Sequence, residues 1–246
     1  MSGAGATFAD VRRFAELDST NRHALELARG GAAEGVVVVA DHQSAGRGRL
    51  GRSWTAAPGS SLLLSILLRP SLAPERLHLS TVAVALAAAD ACEEVVGRRP
   101  SLKWPNDLVV EDRKLGGILA EVPEPGAVVV GLGLNVTWIE APPELEATAV
   151  ALSQVVGREV DRETVLAAIL ANLERRYEQL RTAPEALVAD YRNNCSTIGR
   201  TVRVELASGS FSGIATAVTD DGHLVVDDGG VDRTVTAGDV IHVRPT

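Results

Sequence analysis

The sequence is poor in aromatic residues, in cysteine and in positive charge. Aromatic side chains make up 3% of its 246 residues, so each of the three tryptophans is a candidate for a specific role. The two cysteines, Cys92 and Cys195, lie far apart, which excludes a disulfide framework and indicates the reduced thiols of a cytoplasmic protein. A formal net charge of −8 argues against non-specific binding of nucleic acid by the whole surface.

Targeting signals and metal-binding patterns are missing as well. The first ten residues contain neither a basic segment nor an apolar run, so we expect no signal peptide. No apolar run reaches the length of a membrane span, and no Cys/His cluster has the spacing of a metal site. With 46% hydrophobic residues, the chain can form one large domain, or one large and one small domain.

Positive charge is nevertheless concentrated in one stretch, residues 46–54, which we call the flap. It reads Gly-Arg-Gly-Arg-Leu-Gly-Arg-Ser-Trp. Its glycines allow the backbone to approach a ligand closely. Its arginines carry planar guanidinium groups, whose paired N–H donors fit carboxylate and phosphate oxygens. In an acidic chain, such a cluster favours an anion site over a solvated basic hairpin. The flap is therefore predicted to fold over a small molecule that carries phosphate.

The glycine spacing of the flap matches the dinucleotide-binding fingerprint by letter, but its context does not. That fingerprint needs a helix directly after the glycines, and residues 53–58 make a poor helix start. Trp54 can instead stack on a base. Lys103 and Lys114, on other predicted strands, add further charge. One phosphate does not need so many cations. Two anionic reactants do, because their mutual repulsion opposes their encounter, and an ATP α-phosphate and a substrate carboxylate are such a pair.

Two groups of polar residues admit both a structural and a functional interpretation. Ser19, Thr20 and Asn21 stand at the start of a predicted helix, where they can cap it or contact a ligand. Asn135 ends an apolar strand, where it can hold a neighbouring loop or meet a ligand. The residues alone leave both alternatives open.

Hydrophobic periodicity predicts a mixed β-sheet with helices on one side, followed by a small β-barrel. Strands are expected at residues 36–40, 61–69, 102–104, 109–110, 114–119 and 128–136, and helices at 23–28, 77–96, 162–180 and 184–194. Residues 1–7 are expected to fray, and residues 140–146 to form a Pro-rich acidic loop. From about Thr197, five short strands separated by turns indicate the barrel.

Five blocks of sequence, taken in order, resemble the biotin protein ligases (biotin–acetyl-CoA-carboxylase ligases). The blocks cover roughly residues 15 to 140, and together they are more specific than any one of them. They are Asp18-Ser19-Thr20-Asn21, Gln43 with the flap, Lys103-Trp104-Pro105-Asn106-Asp107, Lys114-Leu115-Gly116-Gly117-Ile118-Leu119 and Gly131-Leu132-Gly133-Leu134-Asn135.

The resemblance implies an α+β fold and a two-step activity. A catalytic domain like that of the class II synthetases, with helices packed on a mixed sheet, would span residues 1–196, and an SH3-like β-barrel would span residues 197–246. Such ligases join biotin to ATP with Mg²⁺, giving biotinyl-5′-AMP and pyrophosphate. They then pass the biotinyl group to a lysine of the biotin carboxyl carrier domain of an acyl-CoA carboxylase. ATP and biotin are substrates, and no permanently bound cofactor is implied.

The matching motifs also imply roles for individual residues. Biotin would be bound by Ser19, Thr20, Asn21, Gln43, Arg47, Gly48, Arg49, Lys103, Gly116 and Gly117. ATP and the adenylate would be bound by Arg47, Arg49, Arg52, Trp54, Asn106, Lys114 and Asn135. The catalytic group would be Lys114, Arg49, Lys103 and Asp107, with Lys114 bridging the biotin carboxylate and the α-phosphate, and Asp107 assisting Mg²⁺ or the acceptor lysine.

The longer form of this family carries an N-terminal helix-turn-helix module that represses transcription. Because the first motif begins at Asp18, we expect a monofunctional enzyme without DNA binding, present as a monomer or weak homodimer. Two alternatives remain from the sequence: a lipoate–protein ligase, and a small-molecule sensor or nucleic-acid-binding module that uses the flap and the barrel. The acidic net charge counts against the second.

Overall fold

A computed structural model describes residues 7–138, 145–206, 208–236 and 238–242, which form two β-sheets with five α-helices. The first sheet and its helices comprise β1 (Val11–Leu17), α1 (Thr20–Arg29), β2 (Val37–Gln43), β3 (Ser61–Leu68), α2 (Leu79–Val96), β4 (Ser101–Lys103), β5 (Asp107–Val110), β6 (Arg113–Glu121), β7 (Val128–Asn135), α3 (Leu152–Val156), α4 (Arg162–Thr182) and α5 (Pro184–Asn194). The second sheet comprises β8 (Thr201–Leu206), β9 (Gly209–Val218), β10 (Leu224–Asp227), β11 (Asp232–Val235) and β12 (Asp239–His242).

The first sheet has seven strands in the order β1-β2-β3-β7-β6-β5-β4. Strands β1 and β2 are parallel, and every other neighbouring pair is antiparallel. The predicted mixed sheet is therefore confirmed. All eight residues of β3 are buried, because this apolar strand lies near the middle of the sheet with covering elements on both faces.

Helices cover both faces of this sheet, so the expectation of helices on one side is wrong. On one face Val37 and Val39 belong to the large core built with α2 and α4. On the other face Val38 joins a smaller core with Ala24 and Leu25 of α1. The run of valines in β2 is buried on both sides because alternate side chains point to opposite faces.

Two elements have no predicted counterpart. Strand β1 has adjacent arginines and half-exposed positions, so its apolar alternation is weak, and its parallel pairing with β2 sets it in place. Helix α3 is five residues long, too short to show a period. Residues 1–6 of the expected frayed N-terminus and residues 140–144 of the expected loop lie outside the described residues. None of the described helices combines the length and apolarity of a membrane span.

The predicted small β-domain is present as a second sheet of five strands, which does not close into a barrel in the part of the chain that the structure describes. Its strand order is β11-β10-β9-β8-β12, all antiparallel. Strands β11 and β12 form opposite edges and are four residues long, which leaves few backbone groups for closing the sheet. The sheet packs against the first part of the chain, where the Trp104 indole donates to the carbonyl of Gly222 at 3.0 Å.

Candidate functional site

One cavity of about 280 Å³ lies on the sheet face that carries α1. Its walls come from the start of α1, the flap, the β4–β5 turn, strands β6 and β7, and the edge strand β12. All the predicted site residues line it except Gly116 and Asn135. The structure therefore brings together residues that are widely separated in the sequence.

The flap itself is a small hairpin. Arg47 and Ser53 form an antiparallel bridge, and the amide of Gly48 donates to the carbonyl of Arg52 at 2.7 Å. At its tip Leu50 and Gly51 have φ values of 56° and 75°, the left-handed region that favours glycine. The hairpin leads into β3 without a helix, in agreement with the rejection of a dinucleotide-binding fold.

A buried cluster of neutral polar groups forms one end of the cavity. Ser19 is the N-cap of α1, and its hydroxyl lies 3.5 Å from the amide of Arg22. The Thr20 amide and hydroxyl donate to Gln43 Oε1 at 2.7 and 3.0 Å. Because Ser19 and Thr20 also line the cavity, the capping and ligand-contact interpretations are compatible.

Asn21 is fixed from several sides and sits directly against the sheet. Ser65 Oγ donates to its Oδ1 at 2.6 Å, and its Nδ2 donates to the Leu119 carbonyl at 3.2 Å and to Glu121 Oε2 at 2.9 Å. A Cβ on Gly131 of β7 would stand 2.0 Å from Asn21 Oδ1. The close approach of Asn21 therefore requires glycine at position 131.

Cations from separate elements converge at the other end of the cavity. Lys114 of β6 and Lys103 of β4 both line it, as does Arg49 of the flap. Lys114 Nζ lies 2.7 Å from Asp107 Oδ1, and an Arg49 nitrogen donates to Asn106 Oδ1 at 3.2 Å. Burial lowers the pKa of Arg49, while the charges of Asp239 and Asp107 oppose that shift.

A pair of glycines forms a flat floor beneath Trp54. Gly117 of β6 and Gly133 of β7 are register partners. A Cβ on Gly133 would stand 2.5 Å from Trp54 Cε2, and one on Gly117 would stand 3.2 Å from Trp54 Cζ3. Lys114 Nζ lies 5.7 Å from the indole ring centre. The floor thus holds the flat indole ring of Trp54 beside the Lys114 ammonium. The buried Trp54 Nε1 has no hydrogen-bond partner among the described residues.

Asn135 occupies a structural position outside the cavity lining. It is 3% exposed, it accepts from Ser61 Oγ at 3.3 Å, and it donates to the Val150 carbonyl at 3.2 Å. These bonds support the loop-holding interpretation of this residue. Gly116 is also outside the lining, where its backbone packs against the carbonyl of Gly133.

The sequence reasoning missed the contribution of the C-terminal sheet. Asp239, Val240 and Ile241 of β12 line the cavity, and Asp239 forms an ion pair with Arg52 of the flap. In the sequence, residues 238–239 look like an ordinary turn signal, and no local pattern links them to the flap. Glu121, which pairs with Arg47 at 3.0 Å, was likewise not predicted.

Comparison with known proteins gives a consistent picture. Residues 14–135 match the model of the biotin/lipoate A/B protein ligase family, and residues 197–243 match that of the biotin protein ligase C-terminal domain. The chain is 41% identical to a biotin–[acetyl-CoA-carboxylase] ligase of Mycobacterium tuberculosis, over 99% of this chain and 93% of that protein. It is 36% identical to the bifunctional ligase/repressor BirA of Bacillus subtilis, over 86% of this chain and 67% of that protein.

Solved structures show the same fold. A biotin protein ligase from Aquifex aeolicus, in complex with biotin and ATP, superposes with a TM-score of 0.84 at 26% identity, covering 97% of this chain and all of that one. A biotin protein ligase from Leishmania major, in complex with biotinyl-5-AMP, superposes with a TM-score of 0.64 at 21% identity over 96% of this chain and 99% of that one.

Proposed function

Because this chain belongs to the biotin protein ligase family, we propose that it activates biotin with ATP and transfers the biotinyl group to a lysine of a biotin carboxyl carrier domain. The observation that carries this conclusion is the convergence of Lys103, Lys114 and Arg49 in one cavity, next to a buried pocket of neutral polar groups. The cations suit the reacting anions, and the neutral pocket suits an uncharged ring system.

In the first step, a carboxylate oxygen of biotin attacks the α-phosphorus of ATP. A new P–O bond forms, the bond to the β-phosphate breaks, and pyrophosphate leaves with its electron pair. Two negatively charged reactants must approach each other, and charge spreads over the phosphoryl oxygens as they do. Lys114, oriented by its ion pair with Asp107, and Arg49, oriented by its hydrogen bond to Asn106, stabilise that charge.

In the second step, the lysine amine of the carrier domain attacks the acyl carbon of biotinyl-5′-AMP. An amide forms, AMP leaves, and the amine loses a proton. Proximity can supply most of the rate enhancement, because the mixed anhydride is already activated. Neither cysteine takes part: Cys92 and Cys195 are buried away from the cavity, and burial raises the pKa of Cys92 to about 12.

Within this proposal the predicted residues keep distinct roles. Ser19, Thr20, Asn21 and Gln43 contact the biotin ring, which is supported by their positions around the neutral pocket. Lys114 lines the same cavity and its Nζ lies 5.7 Å from the Trp54 ring centre, and its role is to bridge the biotin carboxylate and the α-phosphate. The remaining flap and turn residues of the cavity lining are assigned to the nucleotide, namely Arg47, Arg52, Trp54 and Asn106.

The cavity chemistry also fits a magnesium ion. Mg²⁺ commonly takes one or two protein carboxylates and completes its shell with water and substrate phosphates. No cluster of three acidic, His or Cys side chains occurs among the described residues. A site in which the ion is shared between one carboxylate of the chain and the phosphates of ATP is therefore the arrangement that fits. Asp107 would hold the ion, which when bound neutralises phosphate charge.

We place the domain boundary between residues 196 and 197. It is supported by the start of the C-terminal family match at residue 197 and by the first strand of the second sheet at Thr201. The acceptor is the carrier domain of an acyl-CoA carboxylase, by analogy with the Mycobacterium tuberculosis relative.

The decisive experiment measures pyrophosphate release with ATP, Mg²⁺ and one of three compounds: biotin, lipoate or biotin methyl ester. We expect release with biotin and none with the ester, which lacks the attacking carboxylate. Release with lipoate but not with biotin would make the chain a lipoate ligase. Biotin binding without any release would make it a sensor. A carrier domain with its acceptor lysine changed to arginine is the control for the second step.

A further inference from the structure

The C-terminal sheet holds the flap from outside the catalytic sheet. Arg52, on the returning strand of the hairpin, pairs with the Asp239 carboxylate, and an Arg49 nitrogen donates to the Gly238 carbonyl at 3.3 Å. Both acceptors lie at the start of β12, whose position is set by its ladder with β8. The two contacts cross 187 and 189 residues of sequence, so they form only when the C-terminal sheet is docked.

These contacts act beside the exposed tip of the flap, away from Trp54, which packs on the glycine floor. The tip residue Leu50 is 68% exposed, and the flap is a two-stranded hairpin, a structure that is marginal on its own in water. A further contact on the other side of the hairpin is Arg47 with Glu121. A carboxylate that tethers Arg52 therefore has a direct effect on the fraction of time that the flap stays closed.

Tethering and ligand binding are compatible at Arg52. A guanidinium carries five N–H donors, so one edge can remain on Asp239 while another faces a phosphate. The Asp239 carboxylate also stabilises the charged form of Arg49, because Arg49 is half-buried and the nearby negative charge offsets part of its desolvation.

We propose that Asp239 is a positioning residue that keeps the flap closed over the adenylate, so that the C-terminal sheet controls how long the reactive intermediate is retained. This inference rests on the proposed function, and it assigns Asp239 no contact with the reacting atoms. A closed flap shields the mixed anhydride from water until the carrier lysine arrives.

The test compares Asp239→Asn with Asp239→Glu, and uses Asp232→Asn as a matched control. Asp232 is an exposed acid of β11, on the opposite edge of the same sheet, so its substitution makes the same charge change away from the flap. Exposed ion pairs contribute modestly, so we expect radiolabelled biotinyl-5′-AMP to escape about threefold to fivefold faster from Asp239→Asn. Asp239→Glu should stay within about twofold of the parent protein, and Asp232→Asn should not differ from it.

A second readout does not depend on the proposed function. Trypsin cleaves after arginine in segments whose backbone can open locally. Loss of the Asp239 contact should free the flap backbone, so Asp239→Asn should be nicked there about threefold to fivefold faster than the parent without any ligand. Thermal unfolding of each variant shows whether the sheet itself is intact. Parental rates of both adenylate escape and nicking in Asp239→Asn would overturn the inference. If Asp239→Asn is nicked faster but the parent protein forms no adenylate, the proposed function is overturned, while the role of Asp239 in holding the flap through Arg52 still stands.

Discussion

Replacing Gly131 by alanine should damage the biotin end of the cavity while sparing the nucleotide end. The added Cβ would lie 2.0 Å from Asn21 Oδ1, so the Asn21 side chain must move by more than an ångström. That movement lengthens or breaks its hydrogen bonds with Ser65, Leu119 and Glu121. At about 1 kcal/mol for each bond, the total is about 2–3 kcal/mol, which corresponds to an affinity loss of about 30- to 150-fold.

The matched control is Gly133→Ala on the same strand and face. Its Cβ would meet Trp54 rather than Asn21, and Trp54 belongs to the flap, which can lift. We expect Gly133→Ala to weaken nucleotide binding by up to about tenfold and biotin binding by less than about threefold. Isothermal titration of each variant with biotin and with ATP measures both effects, and a thermal melt shows that each variant is folded.

A double-mutant cycle tests the physical cause. Asn21→Ala removes the atom that the new Cβ would strike, so Gly131→Ala should cost far less stability in that background than in the parent, with a coupling of about 1–3 kcal/mol. Additive costs would show that the overlap with Asn21 is not responsible. Biotin affinity of Gly131→Ala within threefold of the parent would refute the placement of the biotin ring against Asn21.

Three further outcomes are expected. Lys114→Met should slow biotin-dependent ATP–pyrophosphate exchange by about 100- to 1000-fold, with Lys114→Arg less impaired, whereas a loss under tenfold would remove Lys114 from the transition state. Burial, reinforced by the nearby charges of Lys103 and Arg200, lowers the pKa of His242 from 6.5 to about 4. The unfolded state therefore binds more protons between those values, so the contribution of His242 to stability is complete above about pH 6.5 and is lost as pH falls towards 4. His242→Gln should flatten the pH dependence of Tm in this range. An unchanged dependence of Tm on pH would show that His242 is not the group responsible. Asp90→Asn should lower the free energy of unfolding in urea by about 3 kcal/mol, because Asp90 accepts from the buried Arg176, from Arg99 and from Arg175. Its kcat per folded molecule should not change, and a lower kcat would mean that this cluster supports the site.

The catalytic half of the site was predictable because its chemistry is concentrated in few residues. Arginines among glycines in an acidic chain, together with lysines on apolar strands, already indicate convergence on anions, and the structure places Arg49, Lys103 and Lys114 in one cavity. Strand β3 and helix α2 were predictable for a different reason, since each is a long apolar run with clear ends.

The rest depends on tertiary contacts that leave no local pattern. Strand β1 is half-exposed, and its pairing with β2 defines it. Whether the second sheet closes depends on its two edge strands, β11 and β12, which are four residues long each. Asp239 resembles any acid after a turn glycine until folding brings β12 beside Arg52. The double coverage of the first sheet is also non-local, because it follows from which helix packs on which face.

Arg47 and Lys114 already hold the carboxylates of Glu121 and Asp107 before any substrate binds. An incoming triphosphate therefore exchanges one counter-ion for another at these positions, rather than neutralising a bare charge. Because the two carboxylates stay in the site and cancel part of its positive charge, nucleotide affinity should fall with ionic strength more gently than the number of basic side chains suggests. The same pairing weakens the attraction of the pocket for polyanions in general.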